Sequence, residues 1–147
     1  MRSRITVFTV FLSLLISCGK PAKVQSFVKS EDRDVYGRYV FEIDMSDTLS
    51  FYDMYLYARM DGDKDVIESS ESLPLDIKLL SPDGTCYQES VILPFTESSS
   101  FFSRDSFTPY RTGCIPAVAG KWKMFIRLEG EAEGLCGIGL IVEYGKR

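Results

Sequence analysis

An all-β fold, an antiparallel two-sheet β-sandwich of immunoglobulin-like or jelly-roll-like type, is predicted for this 147-residue chain by three observations. Apolar and polar residues alternate with a period of two in successive short stretches, the mark of strands with one buried face. Turns rich in Gly, Pro, Asp and Ser separate those stretches. No segment carries a helical apolar stripe longer than two turns.

The amino-terminal segment reads as an address. Arg2 and Arg4 precede an apolar run from Ile5 to Ile16. Such a helix is too short for a roughly 30 Å hydrocarbon core but matches a secretory signal. Leu15-Ile16-Ser17-Cys18 resembles the lipobox of bacterial lipoproteins. The resemblance implies that residues 1–17 are removed and that the Cys18 thiol carries a diacylglycerol. Two or more acyl chains hold a protein on a membrane almost permanently, so the body needs no amphipathic surface for attachment. Gly19 stands where many inner-membrane lipoproteins have aspartate, which favours an outer-membrane location facing the periplasm.

Residues 18–34 are polar, contain a proline and show no sustained periodicity, and are expected to form a lipidated flexible tether. Residues 35–147 then form a single β-sandwich domain. Tyr39, Phe41 and Ile43 alternate with Val40, Glu42 and Asp44. In the stretch 51–60, Tyr52, Met54, Leu56 and Ala58 lie on one face, and Asp53, Tyr55, Tyr57 and Arg59 on the other. Leu75, Ile77 and Leu79 mark a third strand. Ser81-Pro82-Asp83-Gly84 is a type I turn signal that sends 85–93 back antiparallel. Trp122, Met124, Ile126 and Leu128 alternate with basic residues. Cys136, Ile138, Leu140 and Val142 form the core face of the last strand, with Gly137 and Gly139 opposite.

Composition narrows the function. The chain has no histidine, which removes Ser–His–Asp and Cys–His catalysis and His-ligated zinc. Its net charge of −4 offers no electrostatic basis for binding nucleic acid. No catalytic residue, cofactor or metal ligand is assigned, and an enzyme is disfavoured. Asp61, Asp63 and Asp65 alternate in a way that suits calcium, but the glycine and glutamate spacing departs from an EF-hand, and a solvated turn is the plainer reading. Cys86, Cys114 and Cys136 leave one thiol unpaired whatever the pairing, and no CxxC motif is present. Buried small hydrophobes are the expected role, for Cys136 above all. Within Glu97–Tyr110, the aromatics Phe101, Phe102, Phe107 and Tyr110 sit in an apparent loop. They either cap an open end of the sandwich, the favoured reading, or grip a partner.

The order of these features resembles the gliding motility lipoprotein GldH family of Bacteroidetes. The lipobox is followed by Phe41-Glu42-Ile43-Asp44 with Asp47-Thr48, then a tyrosine-rich strand with Tyr52, Tyr55, Leu56 and Arg59. Pro82-Asp83-Gly84, Pro116 with Gly120 and Trp122, Ile126-Arg127 and a glycine-rich tail over 134–140 complete the match. The segments 62–73 and 98–107 depart from the family pattern. The resemblance implies a non-catalytic envelope lipoprotein that binds other envelope proteins as an accessory of gliding-type machinery. The alternative is a glycan-binding lipoprotein of a polysaccharide-uptake system, which requires a flat exposed row of aromatics drawn from tyrosines such as Tyr55 and Tyr57.

Overall fold

The computed structural model describes residues 22–95, 97–98, 100 and 102–146. Nine strands are described: β1 (Lys23–Lys29), β2 (Tyr39–Met45), β3 (Ser50–Asp61), β4 (Ser72–Leu80), β5 (Cys86–Pro94), β6 (Glu97–Ser98), β7 (Ser103–Cys114), β8 (Gly120–Leu128) and β9 (Leu135–Lys146). One helix, α1 (Lys64–Ser69), and one 3-10 turn over Ser30–Asp32 accompany them. The strands form a five-stranded sheet in the order β1-β9-β3-β7-β6 and a four-stranded sheet in the order β2-β8-β4-β5. Every pairing is antiparallel. Every connection but β4–β5 and β6–β7 crosses from one sheet to the other, and β1 lies beside β9 instead of β2. That is the jelly-roll arrangement and not the immunoglobulin one.

Period-two alternation does what physics requires of it. β2 buries Tyr39, Phe41, Ile43 and Met45, and β3 buries Tyr52, Met54, Leu56, Ala58 and Met60. Leu75, Ile77, Met124, Ile126, Ile138 and Leu140 fill the space between the sheets. Buried phenols need partners. The Tyr52 hydroxyl donates to the Asp47 carbonyl (2.8 Å) and accepts from the Asp47 amide (3.2 Å), which pins the β2–β3 turn. Tyr39 shares a 2.9 Å bond with the Ser30 hydroxyl. Trp122, on the core face, donates its indole N–H to the Val118 carbonyl at 2.9 Å. The Ser81–Gly84 turn closes with the Gly84 amide on the Ser81 carbonyl at 3.0 Å.

The tether expected over 18–34 does not extend through that range. Residues 23–29 are β1, paired in register with β9 from Lys23↔Glu143 to Lys29↔Gly137. An edge strand exposed along most of its length has no strong alternation, so the sequence hides it. A second correction concerns 97–110. Phe107 and Tyr110 lie inside β7 rather than in a loop, and this strand continues to Cys114. Pro109 and Gly113 mask its periodicity.

Glu89 on β5 and the pair Tyr110 and Arg111 on β7 close the flank between the sheets. The Tyr110 hydroxyl donates to the Glu89 carboxylate, and Arg111 donates to the same oxygen. Burial pushes the Tyr110 phenol above its ordinary range, and its bond to Glu89 adds to the rise. Burial likewise raises Tyr52 and Tyr144 from the ordinary value of 10.0. A folded-state pKa raised above the unfolded one contributes stability that is full below pH 10 and is lost as pH rises beyond it. The Cys114 and Cys136 thiols, raised from 9.0 by burial, add a smaller loss that begins lower, so thermal melts are expected to hold level up to about pH 9, to decline gently to about pH 10 and to fall steeply by about pH 11. An unchanged melting temperature at pH 11 would contradict this coupling.

Candidate binding face

The outer surface of the five-stranded sheet carries the most distinctive arrangement of the described residues. Four strands place Phe27, Gly139, Tyr57 and Phe107 side by side in one row. The next row is Gln25, Ile141, Tyr55 and Pro109. Phe27 and Tyr57 stack at 5.6 Å with 21° between planes, and Tyr55 and Phe107 at 5.2 Å with 16°. Phe27 is 40% exposed and Phe107 58%.

The glycines of β9 make this surface flat. A Cβ on Gly139 would overlap the Tyr57 ring, and one on Gly137 would stand 2.6 Å from the Phe27 ring. Each ring leans across a neighbouring strand that has no side chain there, a way of covering strand glycines with aromatic surface. Phe51 covers Gly145 in the same manner. Beneath the rings, Ile141 is buried although it points away from the core.

Polar groups frame the rings. The Gln25 amide donates to the Tyr57 hydroxyl at 3.1 Å. On one side Arg59 pairs with Asp61 at 3.0 Å, and on the other Lys23 pairs with Glu143 at 3.1 Å. The bond to Asp61 raises the Arg59 pKa further, so its guanidinium stays charged at every relevant pH. An apolar centre with a charged rim is the anatomy of an association surface.

The four aromatics singled out in the 97–110 segment do not form one patch. Phe107 belongs to the face just described. Tyr110 packs against the core and holds Glu89. Phe102 is exposed near the far end of the sandwich, where its carbonyl accepts from the Gly62 amide at 3.0 Å. Phe101 lies outside the described residues, as do Cys18 and the whole leader. Phe27 and Phe51 are members of the face that sequence reading missed. Phe27 fell in the expected tether, and only its offset of two from Gln25 hinted at a strand face.

The acidic stretch has structural partners. Asp63 caps α1 by accepting from the Val66 amide at 3.2 Å, and Asp61 is held by Arg59. Among the described residues no group of three or more Cys, Asp or Glu side chains is placed to hold a metal ion. Cys86, Cys114 and Cys136 are free thiols. Cys86 is exposed and Cys114 and Cys136 are half-buried, not buried as expected, and burial pushes the thiols of Cys114 and Cys136 up, away from the reactive thiolate. No helix among the described residues is long and apolar enough to cross a membrane.

No family model matches the chain, and no curated protein sequence matches it. Among solved structures it is similar to the Clostridium perfringens CspB protease, with 11% identity and a TM-score of 0.39 over 84% of this chain and 25% of that one. The enzymatically active domain of bacteriophage CBA120 tailspike protein 4 gives 12% identity and 0.35, over 88% and 18% of the two chains. Dimeric latent PorU from Porphyromonas gingivalis gives 8% and 0.35, over 87% and 14%. The chain therefore spans a quarter or less of the length of these proteins, and likeness at this level says nothing about activity.

Proposed function

We propose that this chain is a lipid-anchored cell-envelope protein whose jelly-roll body is a non-catalytic, protein-binding component of gliding-motility-type machinery. The anchor is Cys18, and the location is the outer membrane on its periplasmic side. The ordered motifs and lipobox described above support the family reading. The observation that carries the binding role is the in-register row of Phe27, Tyr57 and Phe107 on a glycine-flattened sheet face. Aromatic anchors in a flat centre with a charged rim suit a protein partner, because such residues dominate association energies.

A second reading has its own support. Tyr55 and Tyr57 lie with their stacked partners on one exposed face, the surface a sugar ring would need. One experiment separates the two. The full-length protein is crosslinked in native membranes, alongside a Tyr57→Ala/Phe107→Ala variant and a polysaccharide-binding assay. The expected result is an acylated Cys18 and an envelope-protein crosslink that weakens about tenfold or more in the variant, since each lost aromatic anchor is worth about 1–2 kcal/mol. Saturable glycan binding abolished by the same substitutions, without a protein crosslink, would put the sugar reading first. A bare Cys18 thiol with the leader still attached would overturn the anchor.

A further inference from the structure

One end of the sandwich carries an uncharged apolar turn among polar ones, and β1, the strand that follows Cys18 in sequence, starts at the same end. The turns over 46–49, 81–85 and 115–119 meet at this end with the start of β1. The register places Met45 opposite Gly120, Leu80 opposite Cys86 and Lys123, and Ser50 opposite Lys146. Residues 115–119 read Ile-Pro-Ala-Val-Ala, without one charge or hydrogen-bonding side chain. Ile115 is 50% exposed and Leu49, on the adjacent turn, 76%. Behind them a mainly apolar cavity of about 190 Å³ opens between the sheets, lined by Met54, Leu79, Ile115, Pro116 and Trp122, with Arg111 also on its wall. The carboxylates at this end face their own turns. Asp47 accepts from the Leu49 amide and the Ser50 hydroxyl, and Asp83 from the Ser81 hydroxyl and the Thr85 amide.

The length of chain before the sandwich decides what covers this tip. The Ala22 carbonyl accepts from the Tyr144 amide at 2.9 Å, so the chain is fixed to the sheet from that residue. Cys18 lies four residues earlier, a reach of at most about 14 Å fully extended. Leu49 leads into β3 and Ile115 follows β7, two and three strands from β1. At about 4.8 Å per strand, both lie within roughly 15 Å of the tether's attachment point. A tether this short keeps this end within about 14 Å of the bilayer surface.

We infer that the tip formed by Leu49 and residues 115–119 rests in the lipid surface that holds the anchor, standing the sandwich on end with its aromatic face free. The inference depends on the acylation of Cys18 in the proposed function. Shallow insertion of a few apolar side chains needs no span and suits uncharged turn residues. The orientation also explains how a flat face parallel to the strands stays open to a partner alongside.

The test uses the full-length acylated protein in vesicles of phosphatidylethanolamine and phosphatidylglycerol containing brominated acyl chains. Two variants are compared, Ile115→Trp at the tip and Ile92→Trp on β5 toward the other end. Ile92 is 68% exposed, so both substitutions are expected to leave the melting temperature unchanged. Trp122 contributes equally to both. Bromine quenching is expected to be about twofold or more stronger for Ile115→Trp, since insertion reaches roughly 5–10 Å into the boundary. Introducing Leu49→Asp beside Ile115→Trp is expected to remove most of that excess. Equal quenching at the two sites, or stronger quenching of Ile92→Trp, in protein that mass spectrometry shows to be acylated overturns the tip alone. A missing acyl group overturns the anchor and the tip together.

Discussion

A chain truncated to residues 35–147 is expected to aggregate, whereas one beginning at Ala22 folds as a monomer. The shorter chain keeps everything that period-two patterning assigns to the domain and loses β1, the 3-10 turn and the Asp34 carboxylate that pairs with Arg38 at 2.7 Å. The loss falls on β9, whose residues from Leu135 to Val142 are almost entirely apolar. With β1 gone, its backbone groups from Gly137 to Glu143 face solvent along a long hydrophobic edge. Such an edge is a template for pairing with another chain. The cost in the folded state is also large. Each lost ladder bond removes about 1 kcal/mol. The Ser30 hydroxyl, which donates to the Leu135 carbonyl at 2.6 Å and meets the buried Tyr39 hydroxyl, disappears with the segment. Several such losses approach the whole stability of a domain this size, about 5–15 kcal/mol. Size-exclusion chromatography and thermal unfolding of the two chains decide it. Cooperative melting of 35–147 within a few degrees of 22–147 would show that β1 is dispensable.

Gly134→Ala is expected to lower the melting temperature by about 10 °C, with a loss of about 3 kcal/mol. Gly134 has φ +76°, in the left-handed region, where a side chain costs about 1–2 kcal/mol. A Cβ there would also overlap the Asp61 carbonyl oxygen and stand 3.1 Å from a Val66 methyl. The Asp61 oxygen is backbone at the end of β3 and cannot swing aside. The same point holds a bond from the Asp61 amide to the Gly134 carbonyl at 2.8 Å, so relief of the clash breaks the junction of β3, α1 and β9. Gly37→Ala is the control. Gly37 has φ +73° and nothing within 4 Å of its missing Cβ, so only the conformational cost applies. Equal losses at the two positions would show that the contact with Asp61 contributes nothing.

Much of the body was legible because its signals are local. β2, β3, β4, β8 and β9 each alternate strongly enough for their inward residues to be named from spacing alone, and the Ser81–Gly84 turn announces itself in four residues. β1 and β7 were not legible. β1 is a short, largely exposed edge, and β7 combines Pro109, Gly113 and shifts of register against β3. Cys136 looked like a core residue because the alternation from Ile138 reaches back to it. The irregular pairing between Arg59 and Met60 breaks that phase.

The aromatic face shows the same division. Tyr55 and Tyr57 could be placed on one side of their own strand, but their stacking on Phe107 and Phe27 depends on three other strands, drawn from residues 27 to 141. The sequence by itself determined a β-sandwich, the inward half of most strands and a leader-like start. Only the tertiary structure decided the jelly-roll order, the strand hidden in the tether and the row of rings over Gly137 and Gly139. The physical reason is one of range. Which way a side chain points in a strand follows from a two-residue repeat. Which strand lies beside it follows from cross-sheet connections and register, and no short stretch of sequence contains those.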